Sequence, residues 1–338
     1  MVNVVVLLNS PADVQRAYRD GIAAIDPTLA VDVINDVDDI DPLLPTMDVL
    51  MTYGTFLRGR SDEIFAKSPR LRWIQALGTG IDGLIPGSRN DIVVTSIRGI
   101  HDAAVSEAVF AMMLALSRDL PRSIRNQDRQ VWDRQPSRLL DGKTVGILGV
   151  GLIGAALAPR CKAFGMKVVG ITARTGRIDH FDELRPRSDL PAAVGDLDFL
   201  IVLAPFTAEN RHLVNAAILS AMKPTSCLVN VARGGVIDED ALIDALTNGR
   251  IAGAALDVFA TEPLPQGHPL WSMPNVIVTP HTAGMNVDYV SRALPFIRKN
   301  VAAFKAGDFA GMTGLVEQPK PQADEQRARS RPSATTPA

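Results

Sequence analysis

The stretch Thr144-Val-Gly-Ile-Leu-Gly-Val-Gly-Leu-Ile-Gly154 constrains the fold of this chain more than any other. Thr144 to Leu148 is short, apolar and β-branched, the pattern of a buried strand. Gly149, Gly151 and Gly154, with Leu152 and Ile153 between the last two, form a G-x-G-x-x-G turn. Ala155 to Phe164 reads as a helix with Pro159 near its start, where proline is tolerated, and Met166 to Ile171 as a second strand. Glycines on a strand-to-helix turn of a βαβ unit predict a dinucleotide site. Gly149 would make the tight turn, Gly151 would admit a pyrophosphate to the backbone, and Gly154 would let helix and strand pack closely. The helix N-terminus would offer free N–H groups and a positive dipole end to phosphates. A bare G-x-G-x-x-G is weak, because glycines also end strands for structural reasons; the flanking strand, helix and strand give it weight.

The rest of the chain repeats the alternation. Before the fingerprint, Val4–Leu8, Val49–Thr52, Leu71–Gln75 and Ile92–Thr95 read as strands, with helices at Ala12–Ile25 and Ser61–Lys67. A long apolar helix follows at Ala103–Ser117, then an irregular arginine-rich stretch over 118–142 with Trp132 as an anchor. After it, Phe199–Leu203, Cys227–Asn230, Gly253–Asp257 and Val276–Thr279 read as strands. Asp238–Asn248 reads as a helix capped by Asp238 and stopped by Gly249, and Val287–Lys305 as a helix returning to the first half. The fold class is α/β: two Rossmann-like, doubly wound parallel-sheet domains with a cleft between them. The expected division is a flavodoxin-like substrate domain over 1–101 plus 285–318 and a dinucleotide-binding domain over 102–284. A tail over 319–338, nearly devoid of apolar mass, is expected to be disordered.

Composition narrows function by exclusion. A net charge of −2 gives no pull towards nucleic acid or anionic membrane. The two cysteines, Cys161 and Cys227, are far apart, so neither a disulfide framework nor a metal site is expected. No stretch reaches transmembrane length, and the first residues read as a strand rather than a signal peptide; a cytoplasmic location is the default expectation.

Chemistry-bearing residues follow the strands of the second half. Arg233 lies in Asn230-Val-Ala-Arg-Gly-Gly, Glu262 in Asp257-Val-Phe-Ala-Thr-Glu-Pro, and His281 in Pro280-His-Thr-Ala-Gly284. Ligands of open α/β sheets bind outside the carboxyl ends of strands. There an arginine can grip a carboxylate bidentately, a histidine can exchange a proton with a carbonyl, and a glutamate can fix the histidine tautomer. Taken singly, each has a bland alternative: a turn arginine, an exposed loop glutamate, one histidine among five. His101-Asp102 is a further His–carboxylate pair, with Asp102 the better read as the N-cap of the next helix.

Together with Gly78-Thr-Gly-Ile-Asp82, these motifs make the chain resemble the D-isomer-specific 2-hydroxyacid dehydrogenase family from about Met47 to Leu315. The resemblance implies Arg233 as the residue that binds and polarises a 2-oxo acid, His281 as acid/base and Glu262 as its support. It places Gly78, Thr79 and Gly80 at the substrate carboxylate, with Tyr53, Phe56, Leu57 and Met285 as apolar pocket walls. Ala204, Pro205, Val231, Ala232, Asp257, Ala283 and Gly284 would contact the cofactor, as would Leu152 and Ile153 of the fingerprint, with Asp257 at the nicotinamide end. Family members are usually dimers joined through the cofactor domains, so a homodimer is expected. The implied activity is reduction of a small 2-oxo acid (glyoxylate, hydroxypyruvate or arylpyruvate type) to the D-2-hydroxy acid. A phosphite-type dehydrogenase, or a non-catalytic NAD(H)-sensing co-repressor, would use the same scaffold; formate enzymes, which carry Gln where Glu262 stands, fit less well.

Cofactor choice rests on an absence. The acid that would accept the ribose 2′-OH of NAD falls, in this family, at Thr172, and Gly170-Ile-Thr-Ala-Arg-Thr-Gly-Arg177 contains none. Arg174 and Arg177, with Thr172 and Thr175, could instead hold a 2′-phosphate, so NADP(H) is expected to be preferred over NAD(H).

Overall fold

The computed structural model describes residues 1–87 and 89–316. The expected tail over 319–338 lies outside the described residues. The chain divides into two units, one of Met1–Ile100 with the segment from Val287 onward, the other of His101–Asn286.

The first unit holds a parallel sheet of β1 (Val2–Leu7), β2 (Leu29–Ile34), β3 (Val49–Thr52), β4 (Trp73–Ala76) and β5 (Val93–Ser96), in the order β2-β1-β3-β4-β5. This is the flavodoxin-like order. Strand periodicity sends Val4 and Val6 into one core cluster and Val5 and Leu7 into the other, so the sheet is covered on both faces. Helices Ala12–Ala23 and Tyr289–Ala306 cover the first face, contributing Ile22, Ala293 and Ile297. The returning helix is fixed by Asn300, 1% exposed, whose amide nitrogen donates to Gln75 Oε1 at 2.9 Å and to Thr313 O at 3.0 Å.

The second unit is a seven-stranded parallel sheet of β6 (Thr144–Leu148), β7 (Lys167–Thr172), β8 (Glu183–Pro186), β9 (Phe199–Val202), β10 (Cys227–Asn230), β11 (Gly253–Leu256) and β12 (Val276–Val278). Its order is β12-β11-β10-β9-β6-β7-β8. The chain leaves β6 to one side through β7 and resumes on the other at β9, so the glycine turn after β6 stands at the switch point of the sheet. The apolar helix Asp102–Ser117 packs Val105, Val109 and Met113 into the core shared with Val145, Ile147 and Ile201.

Several local expectations are corrected. The fingerprint helix begins at Leu152 and runs to Ala163, so Gly154 lies in its first turn and Pro159 in its interior. Asp102 is the first residue inside its helix; His101 occupies the cap position and makes no side-chain capping bond, so Asp102 supports the dipole from the first turn instead. Residues 118–142 contain a helix, Leu120–Asp128, and Trp132 is no anchor among the described residues, being 92% exposed. Leu57 is wholly buried in the core of the first unit, so it packs the core rather than forming a pocket wall. Asp238 caps its helix as expected, accepting from Ala241 N–H at 3.2 Å, and Gly249 follows with φ +64°.

Candidate active site

Three consecutive sheet neighbours, β10, β11 and β12, run parallel and deliver their carboxyl-end loops side by side. Arg233 follows β10, Glu262 follows β11 and His281 follows β12. His281 Nδ1 lies 2.7 Å from Glu262 Oε2. Glu262 Oε1 accepts from the Phe259 N–H at 3.0 Å, which fixes the carboxylate. Burial would raise the Glu262 pKa, but the His281 bond, the Phe259 N–H and the nearby Arg233 charge outweigh it and hold the carboxyl below its usual range.

The backbone of His281 is in the left-handed region, φ +54°, which costs a non-glycine residue of the order of 1 kcal/mol. It is held there by its own N–H, which donates to Asp257 O at 2.8 Å and to Thr279 O at 3.1 Å. Asp257 braces the rest of the loop. Its carboxylate, in a residue 1% exposed, accepts from Thr279 Oγ1 at 2.5 Å, Thr282 N–H at 2.9 Å and Ala283 N–H at 2.9 Å. Nδ1 is committed to Glu262, which leaves Nε2 as the other ring nitrogen.

Two residues that sequence reasoning gave no role complete this layer. Asn230, buried at the end of β10, spans the Arg233 loop: its Nδ2 donates to Arg233 O at 3.1 Å and its Oδ1 accepts from Ala232 N–H at 3.1 Å. Glu239 Oε2 accepts from Ala260 N–H at 3.1 Å, tying the loop after β11 to the start of the helix Glu239–Thr247 that precedes this strand. Arg233 itself donates through Nη1 to Ala232 O at 2.7 Å.

The fingerprint glycines divide in character. Gly149 has φ +108°, and a Cβ there would fall 2.8 Å from Leu203 C; at Gly154 it would fall 2.7 Å from Gly149 O. Both are glycine because the protein itself leaves no room. A Cβ on Gly151 would meet nothing within 4 Å, so the fold gives no packing reason for glycine there. Gly151 caps a helix of 12 residues with no acid in its first turn, an end that favours a phosphate. Arg174 Nη1 donates to Val150 O at 3.2 Å, bringing a guanidinium onto the glycine turn, and the Arg174 N–H donates to Thr172 Oγ1 at 3.1 Å. Arg177 and Thr175 are exposed on the same loop. These residues fit a dinucleotide with an added phosphate. Ala204 is buried and Pro205 exposed just past β9, Val231 and Ala232 are half-buried past β10, and Ala283 and Gly284 lie past β12.

In the first unit, the turn Gly78–Gly80 follows β4. Thr79 Oγ1 donates to Ile97 O at 3.1 Å, the Tyr289 hydroxyl donates to Leu77 O, and the Tyr53 ring lies 3.2 Å from where a Gly78 Cβ would stand.

The depressed Glu262 carboxyl has a testable consequence. A carboxylate bound more tightly as the anion stabilises the fold above its unfolded-state pKa and loses that contribution as pH falls through its folded-state value. Urea denaturation should therefore show wild type more stable than Glu262→Gln at neutral pH, with the gap closing on acidification below the ordinary carboxylate range. A gap independent of pH would mean that the charge on Glu262 contributes nothing.

Comparison with known proteins identifies the family. Residues 110–283 match the family model described as D-isomer specific 2-hydroxyacid dehydrogenase, NAD binding domain. A glyoxylate reductase of Pyrococcus furiosus is 34% identical over 308 residues, covering 86% of this chain and 90% of its own. A D-isomer specific 2-hydroxyacid dehydrogenase family protein from Aeromonas salmonicida superposes with a TM-score of 0.81 at 31% identity, covering 94% of this chain and 99% of that one. A D-isomer specific 2-hydroxyacid dehydrogenase from Xanthobacter autotrophicus, solved with NADPH and MES, gives 0.73 at 30% identity, covering 94% and 98%. The chain belongs to the D-isomer specific 2-hydroxyacid dehydrogenase family of oxidoreductases.

Proposed function

We propose that this protein reduces a small 2-oxo acid to the D-2-hydroxy acid, with NADPH preferred over NADH. The observation that carries the reading is the 2.7 Å pair of His281 and Glu262 beside the Arg233 loop, at the carboxyl ends of neighbouring strands. When bound, the cofactor supplies the hydride. Arg233 binds the substrate carboxylate and stabilises charge growing on the carbonyl oxygen. His281 gives its Nε2 proton to that oxygen, and Glu262, on Nδ1, orients the ring and favours the charged imidazole that donates. Gly149–Gly154 and the helix N-terminus take the pyrophosphate, and Asp257, through the loop it braces, sets the nicotinamide end.

NADPH preference follows from the neutral Thr172 and from Arg174, whose guanidinium reaches the glycine turn. Steady-state assays with glyoxylate, hydroxypyruvate and arylpyruvates should give kcat/KM at least about tenfold higher with NADPH than with NADH, equivalent to roughly 1.4 kcal/mol. Arg174→Ala should erode NADPH use and spare NADH; equal losses with both cofactors would assign Arg174 to holding Val150 alone. Absence of turnover with any 2-oxo acid would overturn the enzymatic reading in favour of a cofactor-sensing role.

The proposed assembly is a homodimer through the cofactor unit. The helix Leu120–Asp128 buries none of its residues, and Ile124, Trp132 and Leu139 are 58%, 92% and 61% exposed. Exposed apolar side chains recurring along this one stretch of chain, from Ile124 to Leu139, support a contact surface there.

A further inference from the structure

At the amino-terminal ends of β6, β9 and β10, away from the loops of the active site, the second unit contains a cavity of about 160 Å³. Ser117, Arg138, Leu139, Lys143, Asp198, Phe199 and Thr225 line it, Leu139 at its rim being also part of the surface proposed above as the homodimer contact. Most of the hydrogen-bonding capacity around it is unused donors. Ser117, the last residue of its helix, is 5% exposed, and its hydroxyl has no hydrogen-bond partner. Buried hydroxyls rarely remain in that state. The Lys143 ammonium makes no hydrogen bond or ion pair among the described residues. Arg138 is pinned at both ends, its backbone N–H donating to Ser117 O at 2.9 Å and its Nη1 to Thr225 O at 2.7 Å. Among the described residues the rest of its guanidinium fork makes no hydrogen bond.

The acidic wall is already balanced. Asp198 accepts from Lys223 Nζ at 2.8 Å and from Thr144 N–H at 2.9 Å. Burial would raise its pKa, but these bonds and the Lys143 charge hold the carboxyl below its usual range. With Asp198 and Lys223 cancelling, Arg138 and Lys143 leave two positive charges. The helix end at Ser117 offsets about half a charge, and its Leu114 and Leu116 carbonyls already accept from Arg118 and Asp119 N–H groups.

We propose that this cavity is a binding site for a small phosphate-class oxyanion. Two cations and a buried hydroxyl, supplied by separate chain segments, match a dianion with several oxygens better than a single carboxylate. At about 160 Å³ the space is well above the roughly 10–15 Å³ that a single water needs.

The test is calorimetric titration of inorganic phosphate into the full-length protein carrying Arg233→Gln and saturated with NADPH, so that the active-site arginine is removed and the glycine turn is occupied. One-site binding is expected in that background, weakened at least tenfold by Lys143→Met and by Arg138→Met and several-fold by Ser117→Ala. The same three substitutions in the otherwise wild-type protein should leave reductase kcat unchanged. No phosphate heat in the Arg233→Gln background, or heat indifferent to all three substitutions, overturns the proposal. Acetate binding as tightly as phosphate overturns the assignment of class. Should Lys143→Met fail to fold, Ser117→Ala, which removes one buried oxygen atom, carries the comparison.

Discussion

His281→Ala is expected to lower kcat for 2-oxo acid reduction by about two to four orders of magnitude, the usual contribution of a positioned acid/base. The size of the effect follows from what the substitution removes. The His281 ring nitrogen is held at 2.7 Å by a carboxylate that is itself fixed by a backbone N–H. His268 also faces an acid, Glu239, but at 3.4 Å, and its Nδ1 accepts from Leu270 N–H, so it caps a turn. His101 is half-buried, and desolvation pushes its pKa down against the pull of Asp102, which suits a neutral packed ring. Single-turnover measurement at saturating cofactor isolates the step: binding of cofactor should be unchanged and hydride transfer slowed. Near wild-type turnover in His281→Ala would remove His281 from the chemistry and turn attention to His101.

The residues that proved legible in the sequence are those whose local chemistry admits one answer. The glycine turn declares itself because Gly149 needs a positive φ and Gly154 a close approach, both constraints of a few neighbouring atoms. The central strands β6, β9 and β10 are buried on both faces and read as unbroken apolar runs. The edge strands β2 and β8 escaped notice for the opposite reason. They are half-exposed, and β8, Glu-Leu-Arg-Pro, has little strand propensity; ion pairs from Arg185 to Glu183 and Asp196 support it. Trp132 reads as an anchor because large aromatics usually bury; its 92% exposure is a tertiary fact that no local pattern carries. Asn230 and Glu239 are visible as polar residues within and after the arginine motif, but what they brace lies on neighbouring loops. A buried asparagine at the end of an apolar strand, three residues before an arginine, was the available signal.

Gly234→Ala should cost more activity than any other single methyl group added near the site. A Cβ at Gly234 would stand 1.9 Å from Phe259 C, 2.0 Å from Phe259 O and 2.4 Å from Ala260 N. All three are backbone atoms, so no side chain can turn aside. The loop after β10 must move away from the loop after β11, and these two loops carry Arg233 and Glu262. Overpacking of this kind costs about 1–3 kcal/mol of stability, sometimes more. The separation also shifts Arg233 relative to the His281–Glu262 pair, and a misplacement of about 1 Å can cost roughly 100-fold in rate. The expected result is a folded protein with a lowered Tm and kcat/KM reduced by about two orders of magnitude. Gly235→Ala is the control. Its Cβ would meet the Phe206 ring at 2.7 Å, a side chain that can rotate, so its losses should be much smaller. The arginine-glycine-glycine sequence would then be a steric requirement of the site: the first glycine exists so that Arg233 and Glu262 can share one edge of the sheet. Wild-type Tm and kcat/KM in Gly234→Ala would show that the two loops are free to separate and that their contact does not set the geometry of the chemistry.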